Sequence, residues 1–169
     1  LYKNNMSKPI LKRLFSVLVK TLVVFLVLFI SFYFWGSSAS LAKKDYEKLL
    51  TNTFETKYKS DSIHSIITYN IGYLSGMTNN KPIAKTKEFF TKNLNKAKLE
   101  FEKLNPDIIA FQEIDYNSGR SFRVNQEEEI AKLGYNHIAR AVNWDKKYVP
   151  FPYGLPSVNF GKVVSGQSI

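Results

Sequence analysis

The sequence contains no cysteine and only two histidines, His64 and His137, among its 169 residues. Without cysteine the chain forms no disulfide, offers no thiolate to a metal ion and has no cysteine nucleophile. Two histidines also argue against a zinc site built from several imidazoles. The chemistry open to this chain therefore depends on oxygen and amide groups. The missing cysteines suit either side of a bacterial membrane and do not decide between them.

Acidic residues are missing from the first 44 positions, which hold seven of the 24 lysines and arginines. The formal net charge is +10, and these 44 residues account for +7 of it. The remaining 17 basic residues face all 14 acids, so residues 45–169 carry only +3. The basicity belongs to the N-terminal segment, and the net charge gives weak support to a polyanionic partner.

Charge is also missing from Thr21 to Trp35, within the apolar run of residues 14–35. A helix of 22 residues extends about 33 Å, which is enough for a hydrocarbon core of about 30 Å. We therefore predict a transmembrane signal-anchor helix over residues 14–35, preceded by a basic cytoplasmic tail at residues 1–13. A signal peptide cleaved near Ser37-Ser38-Ala39 is the main alternative.

The basic N-terminal flank predicts how the chain crosses the membrane. Because positive flanks stay inside, we expect a single-pass protein of a bacterial inner or plasma membrane. Its N-terminus would be cytoplasmic and its domain extracytoplasmic, although Lys43 and Lys44 weaken this charge asymmetry. Residues 36–61 are mostly polar with scattered apolar positions, which indicates a linker or a short amphipathic helix.

Residues 62–169 have the composition of a globular α/β domain, in a chain with 44% hydrophobic and 15% aromatic residues. Strand-like runs alternate with helical periodicity, so we expect a layered α/β arrangement, and the spacing does not show whether the first two strands are parallel. The predicted strands cover residues 62–69, 108–111 and 135–142, the predicted helices 84–104 and 125–133, and the main loops 72–84, 114–125 and 143–161.

Two polar side chains follow the first two predicted strands. Asn70 ends the first strand, and Glu113 with Gln112 follows the second, which begins after Pro106 stops the preceding helix. Ligands gather at the carboxyl ends of strands in open α/β sheets, and carboxylate and amide oxygens suit Mg²⁺. The alternative, left open here, is that Asn70 caps a turn and Glu113 pairs with an arginine.

Other charged and aromatic residues are weaker candidates. Arg120 and Arg123 follow the second strand and could contact substrate phosphates, although ordinary surface solvation is the commoner role. The acidic triplet Glu127–Glu129 suits a helix N-terminus capped by Asn125, so we do not expect a metal site there. The aromatic residues of the 143–161 loop could stack on a base or meet a lipid, but covering the sheet edge is the commoner role: Trp144, Tyr148, Phe151 and Tyr153.

The two strand ends resemble known motifs. The stretches ITYNI (67–71) and PDIIAFQE (106–113) are similar to the opening motifs of the endonuclease/exonuclease/phosphatase superfamily. The order of the motifs and the helix between them also match that family. The last stretch, GKVVSGQSI (161–169), looks like the start of the family's next strand, so the resemblance runs from Ser62 to the end.

The resemblance implies a four-layered α/β sandwich that hydrolyses phosphoesters with Mg²⁺ or Mn²⁺. It implies that Glu113 is the principal metal-ligating carboxylate, that Asn70 is an amide at the metal and phosphate site, and that Gln112 supports Glu113. The family's Asp-x-Asn pair, further aspartate and final Asp-His cannot be assigned here. We therefore expect a truncated, inactive fragment. Val164 replaces a tyrosine of some nucleases in the family, which counts against a close relation to them.

The sequence thus predicts a membrane-anchored phosphoesterase of the phosphodiesterase or nuclease type, with a nucleic acid, a phospholipid or a small phosphodiester as substrate. The weak charge of the domain and the membrane anchor favour a lipid or small phosphoester slightly. No protein partner is inferred. The alternative function is a binding or scaffold protein that keeps the fold without the chemistry.

Overall fold

A computed structural model of the chain describes residues 8–56, 62–78, 81, 83–149 and 158–169. The chain divides into two compact units, Leu1–Gly36 and Ser37–Ile169. The described residues of the first unit belong to helix α1 (Lys8–Ser37), which is long and apolar enough to cross a membrane. Since α1 starts at Lys8, the predicted tail of residues 1–13 is partly helical, as Pro9 fits the first turn of a helix.

The second unit is a mixed α/β domain built on a five-stranded sheet with the strand order β1-β4-β5-β3-β2. Strands β2 and β3 are parallel, and the other neighbouring pairs are antiparallel. The domain therefore has the expected mixed α/β class. Its elements are β1 (Glu47–Thr51), β2 (Ile66–Asn70), α2 (Lys87–Leu104), β3 (Ile108–Asp115), α3 (Gln126–Ala131), β4 (His137–Lys146) and β5 (Val163–Ser168).

The β2-α2-β3 unit forms for local reasons. The Thr86 side chain caps α2 by accepting a hydrogen bond from the Phe89 backbone N–H at 3.2 Å. Asn105 ends the helix in the left-handed conformation at φ 42°, and Pro106 follows it. The parallel register then places Asn70 opposite Gln112, so that β2 and β3 end at the same edge of the sheet.

The helices cover one face of the sheet. Buried residues of α2 and α3 join one face of β3 in a single apolar core, which includes Phe101, Ile130 and Ile109. The other face is exposed along the paired residues Ile66 and Ile108, with 66% and 38% of their surface accessible. The described residues of the domain therefore form two layers.

The expected linker or amphipathic helix at residues 36–61 is wrong for its central part, which is β1. Its burial alternates with a period of two, and Glu47 pairs with Ala141 of β4. The sequence EKLLT has no strong strand preference, so pairing with β4 decides its conformation. A short 3₁₀ helix (Lys43–Asp45) precedes the strand.

Two strands are longer than predicted. β3 continues to Asp115, and β4 continues to Lys146 with a bulge between Val142 and Trp144. Both extensions contain polar residues that pair with a neighbouring strand. A prediction based on hydrophobic periodicity does not recognise such residues as part of a strand. Phe151 and Tyr153 of the predicted loop lie outside the described residues.

Candidate functional site

The carboxyl ends of β2 and β3 form the candidate site. Asn70 ends β2, and its side-chain Oδ1 accepts a hydrogen bond from the Gly72 backbone N–H at 2.9 Å. This bond stabilises a tight turn, as the alternative interpretation of Asn70 expected. An amide oxygen has two acceptor lone pairs, so one such bond does not exhaust its capacity to bind a further donor or cation.

Glu113 occupies an irregular position in β3. The pairing of β3 with β5 shifts register between Phe111 and Ile114, and Glu113 has φ 52°, a left-handed conformation unusual for a residue with a side chain. A bulge of this kind changes the direction of a side chain relative to regular alternation. Glu113 is half-buried and close enough to Tyr73 for its charge to act on the phenol.

Gln112 connects the two parallel strands. Its side-chain Nε2 donates a hydrogen bond to the Thr68 Oγ1 of β2 at 3.0 Å. The amide therefore holds β2 and β3 together directly beside the two candidate ligands. The expected support of Glu113 by Gln112 stays a prediction.

Asp115, two residues after Glu113, is fully buried and paired with Arg120. The guanidinium donates through Nε to Oδ2 at 3.0 Å and through Nη2 to Oδ1 at 2.8 Å. The Ser118 hydroxyl also donates to Oδ1, at 3.0 Å. Burial raises the pKa of Asp115 above its ordinary value, although Arg120 and Ser118 oppose this effect.

Arg120 has a structural partner on each side. Besides the Asp115 pair, its guanidinium carbon lies 3.3 Å from the centre of the Tyr73 ring. Burial raises the pKa of the Tyr73 phenol, and the positive charge of Arg120 lowers it in part. Arg120 therefore joins the loops that follow β2 and β3, and its predicted contact with substrate stays a prediction.

Two further cations lie near this edge. Arg123 is exposed, and its backbone N–H donates to the Ser118 carbonyl at 2.9 Å. Lys85 is half-buried, and both burial and the charge of Arg120 lower its pKa. Lys85 is therefore close to Arg120, and it joins Arg123 as a candidate contact for an anionic ligand.

Sequence reasoning missed Tyr73, Lys85, Asp115 and Gln126. Gln126 connects the site to α3, since its Oε1 accepts from the Asp115 backbone N–H at 3.0 Å and its Nε2 donates to the Tyr73 carbonyl at 2.8 Å. The glycines Gly72 and Gly76 signal a turn around Tyr73. No local pattern could mark Gln126, because Tyr73 is 53 residues away in sequence.

The acidic triplet has a structural role. Asn125 caps α3 by accepting a hydrogen bond from the Glu128 backbone N–H at 3.4 Å. Glu127 is buried and forms an ion pair with Arg140, whose Nε lies 2.9 Å from its carboxylate. These contacts agree with the interpretation of the triplet as part of a helix N-terminus.

Strained backbone is concentrated around the candidate site. Seven described non-glycine residues have φ between 42° and 59°. All but one lie near the end of β3 or in the loops after β2 and β3, and the exception, Asn105, ends α2. Such strain costs about 1–3 kcal/mol per residue and is enriched at functional sites. The strained residues at the site are Tyr73, Leu74, Glu113, Asn117, Phe122 and Arg123.

A cavity of about 780 Å³ lies at the opposite end of the sheet. It is lined by Ile108 and Ile109 of β3 and by His137 and Ile138 of β4, next to Ile169. β5 lies between β3 and β4 in the sheet and ends at Ser168. The cavity lies past this end of β5, between the first residues of β3 and β4. It is therefore separate from the site at Asn70 and Glu113.

The donor groups at the site suit a hard cation but are few. Among the residues that the structure describes, no group of three or more histidines and acids could hold a metal ion. Asp115 is buried in its pair with Arg120, and the candidate oxygen donors at the strand ends are the Glu113 carboxylate and the Asn70 amide. Mg²⁺ typically uses one or two carboxylates together with waters and substrate phosphate, so these two residues fit part of such a site.

Comparisons of the chain with family models, with curated proteins and with solved structures gave no match. The resemblance to the endonuclease/exonuclease/phosphatase superfamily therefore rests on the residues of the two motifs. Both motifs end at the carboxyl edge of β2 and β3, with Asn70 opposite Gln112.

Proposed function

We propose that this chain carries part of the metal and substrate site of a membrane-anchored phosphoesterase of the endonuclease/exonuclease/phosphatase type that depends on Mg²⁺ or Mn²⁺. Its substrate is a phosphoester in a nucleic acid, a phospholipid or a small phosphodiester. The proposal combines the two sequence motifs with the apolar helix α1 and the arrangement of polar groups where β2 and β3 end.

One observation carries the proposal more than the others. Glu113 has a left-handed backbone at a bulge, on the strand beside the one that Asn70 ends. A carboxylate in a regular strand needs no such conformation, and a left-handed backbone costs free energy for a residue with a side chain. The simplest reason for this conformation is that it directs the carboxylate to a ligand.

Each residue then has a role. Glu113 holds the metal ion, Asn70 contributes its amide to the ion or the phosphate, and Gln112 fixes the spacing of the two strands. When bound, the metal neutralises phosphate charge and stabilises the leaving oxygen. Arg123 and Lys85 attract the anionic substrate, while Arg120 positions the loops through Asp115.

The proposal extends to the fold. In a four-layered sandwich a second sheet covers the face of the first that the helices leave free. The exposed apolar side chains on that face, which include Ile66 at 66% and Leu49 at 87% accessible, are suited to such a partner layer. In this arrangement the resemblance covers residues 62–169.

The proposed location is a bacterial inner or plasma membrane. Helix α1 forms the single span, the N-terminus is cytoplasmic and the domain is extracytoplasmic. The length and hydropathy of α1 support the span. The excess of lysine and arginine before residue 14 supports the orientation.

Metal binding tests the proposal directly. We expect Mn²⁺, added to the full chain in detergent micelles, to broaden the amide NMR signals of residues near Asn70 and Glu113. Glu113→Gln should abolish the broadening because it removes the carboxylate charge. Glu102→Gln, which changes an exposed carboxylate on α2, is the matched control and should leave the broadening intact.

Activity provides a second test. We expect no Mg²⁺-dependent hydrolysis of a phosphodiester by this chain, because the further aspartates and the histidine of the family's catalytic set cannot be assigned in it. Turnover that disappears in Glu113→Gln would show that the catalytic set is more complete than proposed. Equal Mn²⁺ broadening in Glu113→Gln and the unchanged chain would contradict the role of Glu113.

The alternative is a binding or scaffold protein that has kept the fold. The small number of metal donors among the described residues favours it. The same Mn²⁺ experiment discriminates between the two functions, because a scaffold has no reason to bind the ion at Glu113. The strain at Glu113 favours the enzyme.

A further inference from the structure

The chain enters the domain at a fixed point. The Asp145 carboxylate, near the end of β4, accepts hydrogen bonds from the backbone N–H groups of Ser40 at 2.9 Å and Leu41 at 2.8 Å. The Ser40 hydroxyl and the Tyr46 hydroxyl donate to the same carboxylate. Asp145 therefore fastens the segment before β1 to the end of β4.

Two further contacts attach earlier residues of the same segment to the end of β4. The Lys146 Nζ donates to the Ser37 carbonyl at 2.8 Å, and the Lys147 backbone N–H donates to the Ser38 carbonyl at 3.1 Å. Ser37 is also the last residue of α1. Within the unit Ser37–Ile169, the attachment to the end of β4 therefore begins at its first residue, Ser37.

The sheet topology places this attachment at the edge that carries the candidate site. β4 is antiparallel to β5, and β5 is antiparallel to β3. β4 therefore runs in the same direction as β3 and β2, and all three strands end at one edge of the sheet, which we name the carboxyl edge. β4 and β2 are three strand spacings apart, or about 15 Å.

The surface of the carboxyl edge suits a lipid headgroup layer. Met77, in the loop after β2, has 95% of its surface accessible, and Phe122, in the loop after β3, has 42%. Exposed basic residues accompany them and outnumber the exposed acids in the same segments. These are Lys43, Lys44, Arg123 and Lys147. Apolar tips among cations bind membranes through apolar insertion and attraction to anionic lipids.

We propose that the carboxyl edge docks on the bilayer that α1 spans, so that the candidate site meets phosphoesters at the membrane surface. The inference rests on the membrane anchor of the proposed function but not on catalysis. A domain fastened at β4 alone could stand with β2 away from the lipid. Docking instead brings Met77, in the loop after β2, to the headgroups.

The absence of native cysteine allows a clean test by site-directed spin labelling. Single cysteines are introduced into the full chain as Met77→Cys, Thr53→Cys and Leu26→Cys, labelled with a nitroxide and reconstituted in nanodiscs. Thr53 is exposed and follows β1 at the opposite end of the sheet. Leu26 lies in the middle of α1. The accessibility of each label to oxygen and to a water-soluble nickel complex reports its depth.

We expect the Leu26 label to be deep in the bilayer and the Thr53 label to be fully accessible to nickel. The Met77 label should lie within about 10 Å of the phosphates, with a several-fold higher ratio of oxygen to nickel accessibility than Thr53. Replacing part of the phosphatidylcholine with phosphatidylserine should increase this ratio, because the exposed cations attract anionic lipid.

The labels separate the two parts of the hypothesis. A deep Leu26 label with Met77 as accessible to nickel as Thr53 would overturn the docking and leave the anchor standing. A Leu26 label accessible to nickel would overturn the anchor and, with it, this inference. The depths of the Leu26 and Met77 labels do not depend on whether Mn²⁺ binds at Glu113. Failure of the enzyme proposal is therefore distinguishable from failure of docking.

Discussion

Glu113 and Asp115 are carboxylates two residues apart on one strand, and their surroundings are opposite. Asp115 is fully buried and accepts hydrogen bonds from Arg120 and Ser118. Glu113 is half-buried at a bulge and has a left-handed backbone. The bulge between Phe111 and Ile114 separates these two environments within a single strand.

The difference separates a structural carboxylate from a candidate ligand. A buried carboxylate needs hydrogen-bond and ion-pair partners, and the loop after β3 supplies them to Asp115. These contacts therefore stabilise the folded domain. Glu113 contributes a strained backbone, so its position costs stability. We therefore expect substitutions of Asp115 to affect mainly unfolding and substitutions of Glu113 to affect mainly ligand binding.

Asp115→Asn gives the largest expected effect. It leaves the guanidinium of Arg120, whose side chain is only 14% accessible, without its counter-charge, and breaking such a pair costs about 3–5 kcal/mol. Urea unfolding measures the change in the free energy of unfolding. Glu113→Gln is the matched control and should change it by less than about 1 kcal/mol.

A double-mutant cycle sharpens this expectation. Arg120→Met together with Asp115→Asn should recover part of the lost stability, because the buried charge is then removed as well. Equal destabilisation by Asp115→Asn and Glu113→Gln would contradict the comparison. Additive effects of the two cycle substitutions would show that Asp115 and Arg120 do not act as a pair.

Asp145 extends the comparison to a carboxylate with several donors. Burial alone would raise the pKa of Asp145, but the hydrogen bonds from Ser40, Leu41 and Tyr46 bring it below its ordinary value of 3.8. Asp145→Asn should reduce the free energy of unfolding at neutral pH by about 2 kcal/mol, since hydrogen bonds to a charged acceptor are worth about 1.5–3 kcal/mol.

The pH dependence of Asp145 has a definite sign. Its folded pKa is lowered, so its stabilisation is complete above the unfolded pKa of about 3.9 and is lost as the pH falls through the folded value. Asp145→Asn should therefore flatten the dependence of stability on pH in this acid range. The pKa of Asp115 is raised, so the contribution of this residue to the free energy of unfolding changes with pH in the opposite direction. Chemical denaturation between pH 2 and pH 7 measures both, and an unchanged acid limb in Asp145→Asn would contradict the assignment.

The sequence predicts the parts of the fold that local patterns control. Helix α2 follows from its apolar spacing and from Pro106, and the core strand β3 follows from its run of apolar residues. Asn125 signals the start of α3, whose described N-cap contact agrees with it. The positions of Asn70 and Glu113 at strand ends also come from local signals.

The rest depends on contacts between distant residues. β1 is a strand because it pairs with β4, and no pattern in EKLLT indicates this. The pair of Asp115 with Arg120 and the bridge from Gln126 to Tyr73 join loops that only the folded sheet brings together. The left-handed backbone of Glu113 likewise lies where the pairing of β3 with β5 shifts register, which no local pattern shows.

The strain at Glu113 gives the smallest expected effect on stability and a specific one. Glycine adopts φ 52° without the cost that any side chain brings, so Glu113→Gly should be about 1 kcal/mol more stable than Glu113→Ala. Both variants remove the carboxylate, so the difference between them in urea unfolding isolates the backbone. Both should also lose Mn²⁺ broadening. A glycine variant no more stable than the alanine variant would show that Glu113 is unstrained, and would remove the main physical support for a ligand at this position.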